Sequence, residues 1–376
     1  MIAQITVDLG ALVRNAQALA RLAAPAQLAA VVKANGYGHG LVPVARALAP
    51  HAARLCVYAL DEAVALREAG VHAPILVLGP IAANDLEVAH ATDVAITLWD
   101  RDLYARQVAS VARRRRRPFT IHAKIDTGVA RLGIPHAHAA DALERYLATP
   151  EYVLAGAYSH LAAAEELDST YTRDQLERFL AATRALPPAV ERHIAATAAA
   201  MLWPDTRLDS VRCGIGLYGI WPSEGTQALM EPRGLELVPA LAWRTRIVAL
   251  HDLAPDETVG YGRTWTAHRP TRVATLPIGY AEGLPRSAGN SAQVLVRGVR
   301  VPLIGRVCMD MAFADVTDVP NVTEGDAVTL IGDDGKETIT ADDLGAACGT
   351  IGYEIVARLP AHIPRIYEGA EPTPAS

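Results

Sequence analysis

The stretch LAAVVKANGYGHG (residues 28–40) joins an apolar, strand-like run to a glycine-rich turn and has a lysine at the junction. Short apolar runs of this kind recur along residues 28–220, and stretches of helical period lie in most of the gaps between them. The seven further runs are RLCVYAL (54–60), PILVLGP (74–80), VAITLW (94–99), FTIHAKIDTG (119–128), LAGAYSHL (154–161), ERHIAAT (191–197) and SVRCGIGLYG (210–219). Eight buried strands that alternate with helices are typical of a closed parallel barrel. The sequence therefore predicts an α/β fold with an N-terminal (β/α)8 TIM barrel.

From about residue 236, strand-like runs separated by turn signals replace the alternation of strands and helices. We expect a mostly β C-terminal domain over residues 236–376, which an N-terminal strand within residues 1–8 joins. The barrel then covers residues 9–235, and residues 224–234 are expected to hold the crossing between the two domains. The predicted strands of the second domain cover residues 241–250, 271–279, 293–303, 311–316 and 327–331, and a short helix is predicted at 341–348.

Composition and charge argue against several classes of function. The chain has a net charge of −6 and a pI near 6.1, whereas nucleic-acid binding usually needs a basic surface. Its four cysteines are far apart in sequence and form no C-x-x-C pair, so neither a disulfide framework nor a zinc site is indicated. The longest uncharged run, residues 69–84, contains two prolines and cannot serve as a membrane helix. The first residues lack the pattern of a secretory signal, and we expect a cytoplasmic protein without membrane or nucleic-acid partners.

Lysine is rare in this chain. Only three of the 35 basic residues are lysines, and two of them, Lys33 and Lys124, lie at the ends of strand-like runs. Unlike arginine, lysine can lose its proton and attack a carbonyl group. A lysine that forms an imine with an aldehyde cofactor needs a neutral amine in an apolar setting, with the phosphate of the cofactor anchored nearby. The glycine-rich turn after Lys33 favours this interpretation over a structural lysine in the core.

The last barrel run, SVRCGIGLYG, supplies an anchor for such a phosphate. Gly214 and Gly216 let backbone N–H groups approach an anion at the eighth strand, which is a recurrent anion site in TIM barrels. Arg212 at the mouth of a barrel is costly to bury unless it meets an acceptor. Because active sites of TIM barrels lie at the C-terminal ends of the strands, the polar residues at these ends are expected to face the site. These residues are Lys33, Lys124, His160, Thr197 and Arg212.

Seven motifs spread along the chain carry a resemblance to a known family. They are VVKANGYGHG (31–40), KIDTGVARLGI (124–134), AYSHL (157–161), VRCGIGLYG (211–219), VGYGRTW (259–265), GRVCMDM (305–311) and GYEI (352–355). On these motifs the sequence resembles the bacterial alanine racemases, barrel enzymes that depend on pyridoxal 5'-phosphate. The resemblance implies interconversion of L-alanine and D-alanine, the latter used in cell-wall peptidoglycan. It also implies a head-to-tail homodimer with two shared active sites.

The resemblance further implies roles for individual residues. Lys33 would hold pyridoxal 5'-phosphate covalently and act as one of two bases, and Tyr261 of the partner subunit would be the second base. Arg131 and the backbone of Met309, the latter also from the other chain, would bind the carboxylate of the substrate. The phosphate of the cofactor would be held by Tyr37, Thr197, Gly214, Ile215 and Tyr353.

Arg212 is expected to select the type of reaction. The resemblance places it against the pyridine nitrogen of the cofactor, with His160 between Arg212 and Tyr261 in a line of hydrogen bonds. A cation there keeps the nitrogen unprotonated and weakens the electron sink, which favours reprotonation at Cα over transamination and argues against an amino-acid decarboxylase. Two alternative functions remain: a racemase for serine or for several amino acids, and a non-catalytic barrel protein that holds the cofactor. Proteins of the last class lack the β domain that carries Tyr261.

Lys124 is a candidate for covalent modification. In the family this position can carry a carbamate that pairs with the arginine seven residues on, here Arg131. Two neighbouring cations repel, which favours the carbamate over a plain lysine bonded to the backbone or to Asp126. Two positions differ from the family pattern: Thr197 replaces serine and keeps the hydroxyl, and an alanine in IAATAA (194–199) stands where asparagine is usual, which puts a local hydrogen bond in question.

Overall fold

The computed structural model describes residues 3–369, and these divide into two compact units. The first unit consists of residues 12–36 and 41–238. The second consists of residues 3–11, 37–40 and 239–369. The second unit therefore takes in both ends of the described chain and a short segment that follows the first strand of the first unit.

In the first unit, eight parallel strands pair side by side in chain order. The eighth strand pairs with the first, and an isolated parallel bridge between Ala196 and Arg212 joins the seventh strand's end to the eighth. The predicted fold class, a TIM barrel followed by a mostly β domain, is confirmed, and each of the eight predicted runs overlaps a barrel strand. These strands are Gln27–Val31, Arg54–Val57, Ile75–Val77, Ala95–Leu98, Phe119–Asp126, Tyr152–Tyr158, Glu191–His193 and Ser210–Cys213.

The barrel strands are nearly continuous apolar runs because helices cover their outer faces and other strands meet their inner faces. Leu55, Leu76, Ile96 and Ile121, one from each of four neighbouring strands, are completely buried. The α-helices that begin before or between these strands, or follow the last of them, are Leu9–Ala23, Leu41–Leu48, Leu60–Glu68, Leu86–Ala91, Leu103–Arg115, Ala139–Ala148, Thr170–Thr183, Thr197–Leu202 and Glu224–Met230.

The second unit is built on a mostly antiparallel sheet. The N-terminal strand Gln4–Asp8 pairs antiparallel with Leu241–Arg246 and parallel with Arg365–Glu368. The sheet buries Trp243 completely. Its other strands are Ala249–Leu253, Thr271–Leu276, Gln293–Val296, Val299–Ile304, Ala312–Asp315, Ala327–Asp334 and Glu337–Ile339, and a separate pair is formed by Thr258–Val259 and Trp265–Thr266. The helices of this unit include Ala341–Ala347 and Gly352–Ala357.

The structure differs from the sequence-based prediction in three local respects. The predicted runs 241–250 and 293–303 each form two strands, and in the second run Arg297 and Gly298 turn the chain with positive φ values of 53° and 76°. Two consecutive residues with positive φ are typical of a tight hairpin turn. The sequence does not predict the helix Gly352–Ala357, since six residues are too few to show a helical period. Residues 224–234 contain the helix Glu224–Met230, and the division between the units follows residue 238.

Among residues 3–369, no helix is long and apolar enough to cross a bilayer. Within the same range, no cluster of three histidine, cysteine or acidic side chains is arranged to hold a metal ion. The four cysteines are free thiols, and Cys56 and Cys213 are buried in barrel strands.

Candidate active site

Lys33 follows the first barrel strand and opens a left-handed turn over residues 33–37. Ala34, Asn35, Gly36 and Tyr37 have φ values of 55°, 55°, 62° and 50°. Only glycine adopts this conformation without strain, and each of the other three residues costs about 1–2 kcal/mol. The turn therefore needs support from its surroundings.

Two polar side chains supply this support. Asn35 Oδ1 accepts a hydrogen bond from the backbone N–H of Leu41 at 2.9 Å. Glu62 accepts from the N–H of Asn35 at 3.4 Å, and its other oxygen accepts from the N–H groups of Tyr58 at 2.9 Å and Ala59 at 3.1 Å. The turn is thus tied to the loop after the second strand, which fixes Lys33 at the carboxyl ends of the strands.

The surroundings of Lys33 favour a neutral amine. Burial lowers the pKa of Lys33 and the charge of Arg131 lowers it further, while Glu62 opposes the shift. A neutral amine is the form that attacks an aldehyde and accepts a proton.

Arg212, the third residue of the eighth strand, is 4% exposed, and the backbone and two histidines surround it. Its Nη1 donates to His193 Nδ1 at 2.8 Å and to His193 O at 3.1 Å. Its Nη2 donates to Ser159 O at 2.7 Å and Ile194 O at 3.2 Å, and lies 3.3 Å from His160 Nδ1. Every N–H group on Nη1 and Nη2 therefore has an acceptor, whereas residues 3–369 supply no acceptor for the Nε–H. This remaining N–H suits a ligand atom with a lone pair.

The ring of Tyr158 contacts His193 and two cationic side chains. It stacks on the His193 ring at 4.9 Å between centroids and an angle of 9°. Lys124 Nζ lies 4.5 Å and Arg212 Cζ 5.0 Å from the centre of the Tyr158 ring. The phenol hydroxyl meets Thr97 Oγ1 at 2.9 Å. Tyr158 thus offers a π face to two cations that would otherwise only repel each other.

Lys124 lies near the end of the fifth strand and is 7% exposed. Burial, followed by the charges of Arg212 and Arg131, lowers its pKa to about 7, and Asp126 opposes the shift. Asp126 Oδ1 is already engaged, since it accepts from the backbone N–H groups of residues 128, 129 and 130 at 2.9, 3.0 and 3.1 Å. Asp126 therefore caps the loop after the fifth strand, and Lys124 has an amine that can be neutral at pH 7. Its carbamate stays a prediction.

The loops after the last two strands meet at Thr197. Its Oγ1 accepts a hydrogen bond from the N–H of Gly214 at 3.1 Å, and the chain then turns through Ile215–Tyr218. Thr197, Gly214 and Ile215 are all buried. Ala196, in the position where asparagine is usual, is held by its backbone bridge to Arg212. A hydroxyl and a bend in the backbone thus lie together at the carboxyl end of the eighth strand.

His160 follows the sixth strand and is positioned by Gln175 on the helix Thr170–Thr183. Gln175 Nε2 donates to His160 O at 3.0 Å and to Thr127 Oγ1 at 3.1 Å, and Gln175 Oε1 accepts from the N–H of Ala162 at 2.8 Å. Thr127 Oγ1 in turn meets Ser159 Oγ at 2.8 Å. Gln175 therefore ties the loop after the fifth strand, which carries Arg131, to the loop after the sixth strand, which carries His160.

Tyr261 belongs to the second unit and is 72% exposed. It lies between two glycines with positive φ, Gly260 at 69° and Gly262 at 73°. Residues other than glycine rarely adopt such φ values, so this tight turn depends on glycine. The conformation leaves the phenol of Tyr261 outside the core of its unit.

Met309 also belongs to the second unit and is 55% exposed. Its loop is fixed by hydrogen bonds from the N–H of Tyr280 to Cys308 O at 3.1 Å and from the N–H of Ala281 to Met309 O at 2.9 Å. Tyr37 and Tyr353 are half-buried in the same unit. The structure thus brings eight of the predicted residues together in the barrel, while four lie in the second unit. The eight are Lys33, Lys124, Arg131, His160, Thr197, Arg212, Gly214 and Ile215.

Sequence patterns do not single out every residue of the site. They do not indicate Tyr158, Gln175 or His122, and they favour a structural or supporting role for His193. A signal for His122 does exist, because it lies two residues before Lys124 and side chains at this spacing share one face of a strand. Tyr158 and Gln175 carry no such signal.

The buried histidines make stability depend on pH. Burial, then neighbouring arginines, lower the pKa of His122 to about 3, and burial, then Arg212, lower the pKa of His193. The unfolded chain binds protons at both residues below pH 6.5 and the folded chain does not, so stability falls as the pH falls. Each histidine should remove about 1.4 kcal/mol per pH unit below its unfolded pKa. Urea unfolding at pH 7.5, 6 and 5 measures this, and a flat profile would contradict the assigned neutral state.

Comparisons with known proteins agree with this architecture. The N-terminal domain model of the alanine racemases matches residues 7–222, and the C-terminal domain model of the same family matches residues 240–367. An alanine racemase of Symbiobacterium thermophilum is 42% identical over 96% of this chain and 96% of its own length. One from Methanococcus maripaludis is 36% identical over 96% and 97%.

Solved structures show the same likeness. A crystal structure of alanine racemase from a D-cycloserine-producing Streptomyces lavendulae has a TM-score of 0.93 and 32% identity, covering 99% of this chain and 98% of that one. Alanine racemase of Bacillus anthracis with bound L-Ala-P has a TM-score of 0.87 and 33% identity, covering 98% and 96%.

Proposed function

Because the chain belongs to the alanine racemase family, we propose that it interconverts L-alanine and D-alanine with pyridoxal 5'-phosphate held on Lys33. The enzyme is an isomerase. The observation that carries the proposal is the pairing of a lysine of lowered pKa with an immobilised Arg212 that keeps one N–H for a ligand. Family members depend on this cofactor, and the residues of the barrel fit its functional groups.

Each functional group of the cofactor has residues that suit it. The amine of Lys33 suits the aldehyde, and the Nε–H of Arg212 suits the pyridine nitrogen. The hydroxyl of Thr197 and the backbone of Gly214 and Ile215 suit the phosphate, together with the phenols of Tyr37 and Tyr353. When bound, the cofactor delocalises the negative charge that develops at Cα of the amino acid. Since Arg212 is fixed by four acceptors and does not release a proton, it keeps the ring nitrogen unprotonated.

Two bases act on opposite faces of the amino acid. Lys33 takes or returns the α-proton on one face, and Tyr261 of the partner subunit does so on the other. Arg131 and the N–H of Met309 from the other chain bind the carboxylate and orient Cα between the bases. A cation at the ring nitrogen favours prompt reprotonation at Cα, which supports racemisation over decarboxylation.

We also propose a head-to-tail homodimer with two shared sites. Several large apolar side chains of the second unit are exposed on or beside the loops that carry Tyr261 and Met309. They include Tyr280 and Met311, which are 44% and 46% exposed. Exposed apolar groups that lie close together are typical of an interaction surface. A second copy of the chain that covers this surface would bring Tyr261 and Met309 to a barrel.

The first test combines activity with chemical trapping. Circular dichroism should show loss of the L-alanine signal, faster with added pyridoxal 5'-phosphate, and borohydride should fix the cofactor on Lys33. The other two lysines, Lys124 and Lys336, serve as internal controls because peptide mapping distinguishes all three. A reduced adduct on Lys124 or Lys336 would overturn the central assignment.

A further inference from the structure

A line of polar side chains runs through the inside of the barrel towards Arg212. Arg54 begins the second strand and Glu191 the seventh, and the two form an ion pair. Arg54 Nη1 lies 3.1 Å from His122 Nε2, His122 Nδ1 lies 3.0 Å from His193 Nε2, and His193 Nδ1 lies 2.8 Å from Arg212 Nη1. TIM barrels usually fill this space with layers of branched apolar side chains. The presence of polar side chains in this space therefore needs a separate physical explanation.

The sixth strand is shaped around the ring of His122. A Cβ atom on Gly156 would lie 2.4 Å from His122 Nδ1 and 2.6 Å from its Cε1. The pairing of the fifth and sixth strands also slips at this point, because Ile121 lies opposite Leu154 whereas His122 lies opposite Gly156. Such bulges change where side chains point and commonly occur near active sites. The backbone is thus adapted to this one imidazole.

The four side chains of this line carry one N–H group more than their three contacts can use. An arginine donates and never accepts, and a neutral imidazole has one donor and one acceptor nitrogen. Arg54, His122, His193 and Arg212 therefore bring four protons to three contacts, each of which needs only one. One contact must set two N–H groups against each other.

The contact in which two N–H groups oppose each other is the one between Arg54 and His122. The contact there is the longest of the three, and the side chain of Arg54 is 15% exposed and has Glu191 as a second partner. At the other end Arg212 is 4% exposed, so a repulsive contact there would be costlier. His193 Nδ1 therefore accepts from Arg212, and the Nε2–H of His193 donates to His122 Nδ1.

A further proton on His122 would reverse this order. Its Nδ1–H would then donate to His193 Nε2, so the proton of His193 would move to Nδ1 and face Arg212. Arg212 would lose the acceptor that now lies 2.8 Å away. We propose that Arg54 is a positioning residue, whose charge keeps this proton away from His122 and so preserves the contact between His193 and Arg212.

The charges around His122 support this role. Burial is the largest cause of its lowered pKa, followed by the charges of Arg54 and Arg212. Glu191 is the one carboxylate among the neighbouring titratable groups, and Arg54 neutralises it. Loss of the Arg54 charge would remove a repelling cation and leave Glu191 to attract a proton. Within residues 3–369, the charged or titratable groups that face His122 or its partner His193 include Lys124 on the fifth strand, Arg54 and Cys56 on the second, Tyr158 on the sixth, Glu191 on the seventh and Arg212 on the eighth.

The role of Arg54 can be tested without the cofactor. Arg54→Gln removes the charge but keeps an N–H for Glu191, and Arg54→Lys is the matched control that keeps the charge. The number of protons taken up on unfolding follows from the slope of unfolding free energy between pH 5 and pH 6.5. We expect Arg54→Gln to take up fewer protons on unfolding than the wild type, because His122 then binds part of a proton in the folded state, and Arg54→Lys to match the wild type. Equal uptake in all three proteins would overturn the proposal.

The direction of the hydrogen bonds is tested at His122, and this part rests on the proposed function. His122→Gln offers an amide oxygen to the Nε2–H of His193, whereas His122→Leu offers no acceptor. We expect kcat for L-alanine to fall about tenfold in His122→Leu, with KM little changed, and to stay within about twofold in His122→Gln. The same loss of kcat in both variants would contradict the assigned direction of the hydrogen bonds. If Arg54→Gln does not fold, the comparison of His122→Leu with His122→Gln tests the proposal instead. A wild-type protein without racemase activity would disprove the proposed function and leave the proton uptake comparison valid.

Discussion

Lys33→Arg is expected to lower the rate of alanine racemisation by about four orders of magnitude. Arginine keeps the positive charge but does not release its proton, so it can neither hold the aldehyde of the cofactor nor accept the α-proton. The native surroundings act in the opposite sense, since burial and Arg131 lower the pKa of Lys33. The initial rate of loss of the L-alanine circular dichroism signal, with saturating pyridoxal 5'-phosphate, measures the effect.

The scarcity of lysine supplies clean controls for this experiment. Lys336 lies exposed in the turn between Ala327–Asp334 and Glu337–Ile339, and Lys336→Arg should leave the rate unchanged. Thermal unfolding of both variants checks that the fold is intact. If Lys33→Arg kept the wild-type rate, Lys124, whose pKa is lowered to about 7, would become the candidate for the catalytic lysine.

The barrel could be predicted because its signal is local. Strands covered on both faces appear in the sequence as short apolar runs, and each of the eight runs overlaps a strand of the structure. The rule that active sites lie at the carboxyl ends of barrel strands then selects Lys33, Lys124, His160, Thr197 and Arg212 without any knowledge of distances. Pattern and topology together thus reach the candidate site.

The supports of these residues could not be predicted, because they depend on contacts between distant segments. The left-handed turn after Lys33 contains three residues other than glycine, and part of its support comes from Glu62 on the helix Leu60–Glu68. The line from Arg54 to Arg212 draws on the second, fifth, seventh and eighth strands. No spacing in the sequence indicates that these four side chains meet.

The division of two predicted strands of the second unit into two strands each could not be predicted for a different reason. The apolar runs 241–250 and 293–303 look continuous, since the turn in the second run is made by Arg297 and Gly298 rather than by a cluster of polar residues. A single glycine within a strand-like run can mark a bulge, a close approach or a turn, and only the three-dimensional pairing distinguishes these.

Complementation between two inactive variants tests the shared site. If Lys33 acts in one chain and Tyr261 of the partner subunit acts in the same site, Lys33→Ala and Tyr261→Ala should each be inactive as homodimers. A mixed dimer has one site with both substitutions and one site with neither. Random mixing of equal amounts makes about half of the dimers mixed, so activity should return to roughly a quarter of the wild-type value.

The structure makes this outcome specific to Tyr261. Its phenol is 72% exposed, and Gly260 and Gly262 hold it outside the core of its unit, so the substitution should not disturb the fold. Co-expression with two different affinity tags isolates the mixed dimers, because an obligate dimer does not exchange subunits readily. The matched control is Lys33→Ala mixed with Arg212→Ala, which leaves one defect in the barrel of each chain, so both sites stay defective and no activity should return. No recovery with Tyr261→Ala in verified mixed dimers would show that the two bases do not come from different chains, and recovery in the control would show that regained activity does not report a shared site.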